Sequence, residues 1–311
     1  MRSRKERVQI LLLIVLVSIL LVYIGHIIYL NSRIQEMQSQ NMEVMDQMRV
    51  LYELEKHAEF NVDSNFGQDA PEISEINYYN QETDHFKIYA HNSKVCDDIA
   101  SSIENVYDKI IEDLDFKSQP NRKIKIYIFS NEDEYRAKIR QPMWSVGLAI
   151  YNKNSFYSFE GVNLTGLIPH EITHLLLYSY MGRKYDPLTM RWLSEGLATY
   201  EESKVVNSSL INSLEKRMSI LKQGRYFPIR ELIKADILKK GSTALIDLWY
   251  AQSLSTIEFM IHKLGRAKFN RFCLNMRKED DVERALLDTY KNQFKNIDDF
   301  QDQWYRYIKA H

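Results

Sequence analysis

Hydrophobic positions fall into three regimes along the chain. From Val8 to Leu30 they are nearly continuous, and no Asp, Glu, Lys or Arg interrupts the run. At ~1.5 Å per residue the run spans ~35 Å, enough to cross the ~30 Å hydrocarbon layer of a bilayer with some tilt. The pattern therefore predicts a transmembrane helix over residues 8–30. From residue 31 to 60 polar residues interrupt the pattern, and Ile34, Met37, Asn41, Val44, Met48, Leu51, Glu55 and Ala58 recur at a spacing of three and four. That is a heptad, and it predicts a helical stalk. Asn at an a position suits a parallel homodimer joined through the stalk, and a helical spacer that packs on nothing carries the same letters. Residues 61–80, with Gly67 and Pro71 among Asn and Asp, read as a linker.

From residue 81 to 311 the pattern is that of a packed domain. His85–Ala90 and Lys123–Phe129 alternate with the period of strands. Between them Ser93–Phe116 has helical spacing, with Val95, Ile99, Ile103, Val106, Ile110, Ile111 and Leu114 on one face. Asn131 is placed to cap the helix that follows, with Glu134 as its third-position partner. Val146–Tyr151 and Ser155–Phe159, separated by Asn-Lys-Asn, predict a hairpin. From Leu164 onward the chain is almost entirely helical. A small N-terminal sheet followed by a helical C-terminal half predicts an α+β fold.

Charge changes the picture in two ways. The chain has 41 Lys+Arg against 42 Asp+Glu, a net charge of −1, which argues against a partner bound by bulk charge and so against nucleic acid. The distribution is uneven. Arg2, Arg4, Lys5 and Arg7 precede the apolar run, and only Arg33 lies just beyond it. Excess positive charge stays on the cytoplasmic side, so residues 1–7 form a cytoplasmic tip and the rest is extracytoplasmic, in a single-pass protein of the cell membrane. The run is too long for a cleaved signal peptide and ends without a small-residue cleavage site. Two cysteines cannot staple a domain of this size. Cys96 and Cys273 could pair outside the cytoplasm, and buried free thiols fit the pattern equally.

Candidate chemistry is concentrated at Pro169-His170-Glu171-Ile172-Thr173-His174, an H-E-x-x-H sequence. On a helix His170 and His174 project from one face, where two imidazoles can hold one Zn²⁺; Glu171 is rotated about 100° away, beside the metal, where its carboxylate can take a proton from water. Pro169 lacks an N–H, so the helix is expected to begin at a Thr165 cap with Pro169 in its first turn. Leu175-Leu176-Leu177 follows, so the helix is buried, and buried paired histidines need partners. A catalytic zinc wants a third protein ligand. Glu195, in Trp192-Leu193-Ser194-Glu195-Gly196-Leu197-Ala198, lies far enough after His174 for a turn and a returning helix, and the small Gly196 and Ala198 would let the two helices approach closely. Thr199, one turn after Glu195, is a candidate to orient a ligand histidine. His262 has no ligand-spaced partner and reads as structural.

These two motifs resemble the gluzincin branch of zinc metallopeptidases, in particular the peptidase MA-like family of extracytoplasmic proteases, over roughly residues 85–311. The resemblance implies a zincin-like metallopeptidase domain, peptide or protein substrates, and one Zn²⁺ held by His170, His174 and Glu195, with Glu171 as general base. It also implies that the strand before the zinc helix pairs with substrate backbone, at Gly147, Leu148 and Ala149. A tyrosine downstream, at Tyr250, would donate to the developing oxyanion; bottom-up, Tyr250, Leu254, Ile257 and Ile261 make an ordinary core stripe. An interaction protein of another class, keeping a catalytically silent zincin-like domain, is the competing expectation.

Overall fold

The computed structural model describes residues 23–27, 29–33, 73, 75–115, 122–139, 145–182, 185–186, 189–204, 218–234, 243–279 and 281–311. The chain forms two compact units, Met1–Glu53 and Leu54–His311. In the first, residues 23–27 and 29–33 are helical and exposed. Most of the expected membrane segment, all but the first three residues of the stalk, and the linker up to residue 72 lie outside the described residues. Among those described, no helix is long and apolar enough to cross a membrane.

The second unit is built on a five-stranded sheet of order β1-β2-β3-β5-β4, formed by β1 Tyr79–Glu82, β2 Phe86–Ala90, β3 Ile124–Phe129, β4 Gly147–Ile150 and β5 Ser155–Phe159. The three inner strands are parallel, and the two edge strands run antiparallel to their neighbours. Inner parallel strands are covered on both faces, which is why they are buried almost throughout.

Helix α1, Ser93–Leu114, covers one face. The Asn92 side chain accepts from the Lys94 N–H to start it, and Asp115 ends it in the left-handed region at φ 47°. Its Tyr107 meets Phe86 edge-on. The opposite face carries Tyr89, Tyr127 and Tyr157, which are register partners across β2, β3 and β5. Their rings stack at 4.8 and 5.2 Å between centroids. Tyr135 and Ile139 of α2, Glu132–Ile139, close over the same core. Asn131 caps α2 by accepting from the Glu134 N–H at 2.9 Å, and the Glu134 carboxylate reaches back to the Ser130 N–H rather than to that of Asn131.

The helical half begins with α3 Leu164–Met181 and α4 Arg191–Ser203, followed by α5 Ile229–Lys234, α6 Thr243–Glu258, a π turn over Phe259–Lys263, α7 Arg266–Met276, α8 Val282–Tyr290 and α9 Ile297–Ala310. α4 packs between α3 and α6. Buried Gln252 of α6 holds the chain before α5: the Phe227 N–H donates to its Oε1 at 2.8 Å, and its Nε2 donates to the Phe227 carbonyl at 2.6 Å.

Two expectations need adjustment. β1 starts two residues before the expected domain start at 81, because its four side chains are all exposed and carry no alternation. Helix α3 starts at Leu164 with Asn163 as its cap, so Pro169 sits in the second turn and Thr165 is not the cap. Pro169 gives no N–H to the turn before it, and its own carbonyl accepts from Thr173 Oγ1 at 2.7 Å. Of the two readings open for the cysteines, the structure has buried free thiols at both Cys96 and Cys273.

The end of α4 is tied to α1 and α7 by a polar knot. Lys204 Nζ lies 2.6 Å from Glu201 Oε2 and 2.5 Å from Asp113 Oδ2, and Arg266 bonds Asp113 from the other side. Burial lifts the Glu201 carboxyl from 4.5 to about 7 although the Lys204 charge opposes the shift. Between those values the folded chain keeps a proton that the unfolded chain releases. Stability from this group is complete below pH ~4.5 and falls as pH rises through ~7. Thermal melting of Glu201→Gln at about pH 5 and about pH 7.5 should show a smaller loss of stability across that window than wild type; an equal loss in both would refute the assignment.

Candidate metal centre

Three elements converge on one buried point. α3 supplies His170, Glu171 and His174, because residues four apart on a helix share a face. α4 supplies Ser194, Glu195 and Glu202. β4 supplies the backbone of Gly147–Ala149 at the open edge of the sheet.

Glu195 Oε2 lies 3.5 Å from His170 Nε2 and 3.6 Å from His174 Nε2, with the two imidazole rings nearly perpendicular at 80°. Among the described residues this is the cluster of donors able to hold a metal ion, all three ligand atoms lying within 4.8 Å of one another. Two ligands bonded to Zn²⁺ at ~2.0–2.2 Å in a tetrahedron stand ~3.3–3.6 Å apart, so the donor set fits that ion.

The far nitrogens of both rings are engaged. His170 Nδ1 lies 3.1 Å from Glu202 Oε2, and His174 Nδ1 lies 2.8 Å from Ser194 Oγ. An imidazole that presents Nε2 to a metal carries its proton on Nδ1. The Glu202 carboxylate can only accept and so favours that tautomer in His170, and Ser194 Oγ is placed to accept in the same way from His174. Thr199, the residue expected to do this, is buried with Oγ1 unpartnered. A visible signal did point to Glu202: it is two helical turns beyond Glu195, on the same face of α4.

Electrostatics follow from crowding charges in a dry site. Burial pushes the Glu171 carboxyl up to about 7, with the nearby Glu195 adding to the effect and the charge of His170 and the Ala149 N–H opposing it. Burial also works to raise Glu195, but the two imidazoles and Arg191 hold it at about 2, so it is ionised. Burial works to lower His170, yet its hydrogen bonds to Glu195 and Glu202 carry it up to about 10. Burial lowers His174 to about 4. Three carboxylates therefore gather around the two rings, an arrangement suited to a cation.

Glu171 is held against β4. Its carboxylate accepts from the Ala149 N–H. A Cβ on Gly147 would sit 2.6 Å from Glu171 Oε1, so only glycine leaves the carboxylate its place. Leu148 is half-buried in the same edge strand. Tyr250, on α6, is buried close enough to Glu195 that burial and that carboxylate push its hydroxyl well above the usual phenol range. His262 lies apart, edge-on to Tyr200 at 5.7 Å.

An α+β domain with a small five-stranded sheet, a helical remainder and a two-histidine, one-glutamate cluster on adjacent helices has the make-up of a zincin-like peptidase domain. A family model described as the Peptidase MA superfamily matches residues 108–310, and the chain belongs to that superfamily. The match starts within α1 and takes in the whole of the cluster. No curated protein matches the chain.

Proposed function

We propose that this protein is a membrane-anchored, extracytoplasmic zinc peptidase of the gluzincin type that hydrolyses peptide bonds in peptide or protein substrates. The support is strongest at one point: His170 Nε2, His174 Nε2 and Glu195 Oε2 meet beside a buried carboxylate, Glu171, that is not needed as a ligand. These three residues would hold one Zn²⁺. When bound, the ion supplies Lewis acidity that polarises the scissile carbonyl and lets water lose a proton near neutral pH.

The chain's own residues do the rest. Gly147, Leu148 and Ala149 offer an open strand edge on which substrate backbone can align. Glu171 takes a proton from water as its oxygen adds to the carbonyl carbon. It returns that proton to the nitrogen as the C–N bond breaks. Tyr250 donates its hydroxyl hydrogen to the carbonyl oxygen as negative charge collects there. Residues 8–30 provide the anchor with residues 1–7 cytoplasmic, and the stalk provides a seam for a homodimer.

The full chain, purified in detergent, should carry zinc by atomic spectroscopy and cleave members of a peptide library. Chelation should abolish cleavage and zinc should restore it. A chain that neither takes up zinc nor cleaves after zinc is added would overturn the reading. In intact cells, an added protease should reach residues 81–311 and leave the N-terminal tip intact.

Glu202 gives a further check. Glu202→Gln should weaken zinc binding by about 10- to 100-fold in competition with a chromogenic chelator. Thr199→Val should leave it near wild type. Equal affinities in wild type and Glu202→Gln would remove Glu202 from the metal centre.

A further inference from the structure

A chain of hydroxyls runs from the end of the edge strand to His174. Tyr151, the residue after β4, has its Oη 3.1 Å from Tyr185 Oη. Tyr185 Oη lies 3.2 Å from Ser194 Oγ, and Ser194 Oγ is 2.8 Å from His174 Nδ1. The two tyrosine rings meet edge-on at 5.0 Å, and Tyr178 of α3 stacks on Tyr151 at 4.9 Å, so the phenols are held in place by one another. The Tyr151–Tyr185 and Tyr185–Ser194 contacts involve neither a metal donor nor the base.

Hydrogen counting gives the chain a direction. A phenol has one hydrogen and a serine hydroxyl has one hydrogen and two acceptor sites. Tyr185 gives its one hydrogen to Tyr151, so its contact with Ser194 is filled by the hydrogen of Ser194. With its only hydrogen spent on Tyr185, Ser194 Oγ can only accept toward His174, so it receives Nδ1–H. Without Tyr185, Ser194 can turn its own hydrogen toward Nδ1. That would place the ring's proton on Nε2, the nitrogen that faces the ligand cluster.

We infer that Tyr185 is a positioning residue for His174: with Tyr151 behind it, it holds Ser194 as an acceptor and so keeps His174 Nε2 bare for the metal. The role rests on the zinc-site reading above, and it also links the end of the strand proposed to hold substrate to one of the metal ligands.

The test has a metal-free arm and a metal arm. In full-length chain in detergent with 15N-labelled imidazoles, the His174 signal is assigned by its absence from His174→Gln. Metal-free wild type should show the Nδ1–H tautomer, and Tyr185→Phe, which keeps the ring and its packing, should show a mixture. In chelator competition Tyr185→Phe should weaken zinc binding by about 3- to 10-fold, toward the low end for outer partners of metal ligands. Ser194→Ala should weaken it more, and adding Tyr185→Phe to Ser194→Ala should change nothing further, since the two act in series. A wild-type tautomer and wild-type zinc affinity in Tyr185→Phe would overturn the inference. So would the same loss of affinity in the Ser194→Ala background, because Tyr185 would then act through packing. A wild-type chain that binds no zinc sinks the peptidase reading instead, and the metal-free tautomer then decides the role of Tyr185 alone.

Discussion

Glu171→Gln should lower peptide hydrolysis by about 10²- to 10⁴-fold while zinc content and melting temperature stay near those of wild type. The substitution is close to isosteric and leaves an oxygen to accept from the Ala149 N–H. It leaves His170, His174 and Glu195 untouched. What it removes is the ability to take up and hand back a proton, a loss of about 3–5 kcal/mol of transition-state stabilisation. Because Glu171 works on the proton in flight rather than on substrate binding, the loss should fall on kcat and spare KM. The buried carboxyl stands at about 7 in the metal-free chain, so it is poised to titrate near neutral pH, and a bound cation would pull it lower. Unchanged hydrolysis by zinc-loaded Glu171→Gln would remove Glu171 as the base and favour the silent, interaction-protein alternative for any activity that remained in the preparation.

The parts of this site that were legible in the sequence are those set by helical period. His170 and His174 are four apart, so any helix puts them together. Glu195 was reachable because small residues beside it foretold a close helix pair. The partners of the rings were harder. Thr199 was the natural choice one turn after Glu195, yet its hydroxyl is buried without a partner, and Glu202 one turn further on meets His170. Period alone gives the face of α4, but not how far along it the ring nitrogen lies. Tyr185 was invisible for a different reason. It lies between α3 and α4, where no repeat of apolar positions constrains it, and only the fold brings it to Ser194.

The sheet divides along the same line. The inner strands are rich in Ile, Tyr and Phe and were predicted to within about a residue. Their pairing across α1 and α2 was not, because parallel partners lie far apart in sequence and nothing local records them. β1 was missed outright, since an edge strand exposed at every position has no alternation to read. The cap of α3 was misplaced by two residues, because Thr165 and Asn163 both suit a helix start and Pro169 favoured the nearer one. Pattern thus specifies which faces are buried, and it leaves open the contacts made across them.

Gly196→Val should be the most damaging single change outside the metal donors, lowering both stability and zinc affinity. Gly196 lies where α4 crosses α6, directly after Glu195. A Cβ there would stand 2.8 Å from the Ser253 carbonyl oxygen, 2.9 Å from the Ser253 carbonyl carbon and 2.9 Å from Ile257 Cγ1. Two of those three atoms are backbone, so no rotamer change relieves the contact and the helices must separate. For Gly196→Ala two terms oppose: replacing glycine within a helix gains up to ~1 kcal/mol, and overpacking costs about 1–3 kcal/mol. The fixed backbone neighbours make the second term win. Valine adds two more methyl groups at the same spot and gives back most of the helical gain, so its net cost should be several kcal/mol, more than that of alanine. At ~2–4 °C per kcal/mol for a domain of this size, Gly196→Ala should melt a few degrees below wild type and Gly196→Val well below that. The damage should reach the metal centre because Glu195 is anchored to the helix turn that moves, and Tyr250, one turn before Ser253, is on the helix it moves from. Zinc binding by folded Gly196→Ala should therefore weaken along with its melting temperature. A Gly196→Ala chain as stable as wild type, with wild-type zinc affinity, would show that α4 and α6 can part without disturbing Glu195, and the close crossing would then have no part in aiming the third ligand.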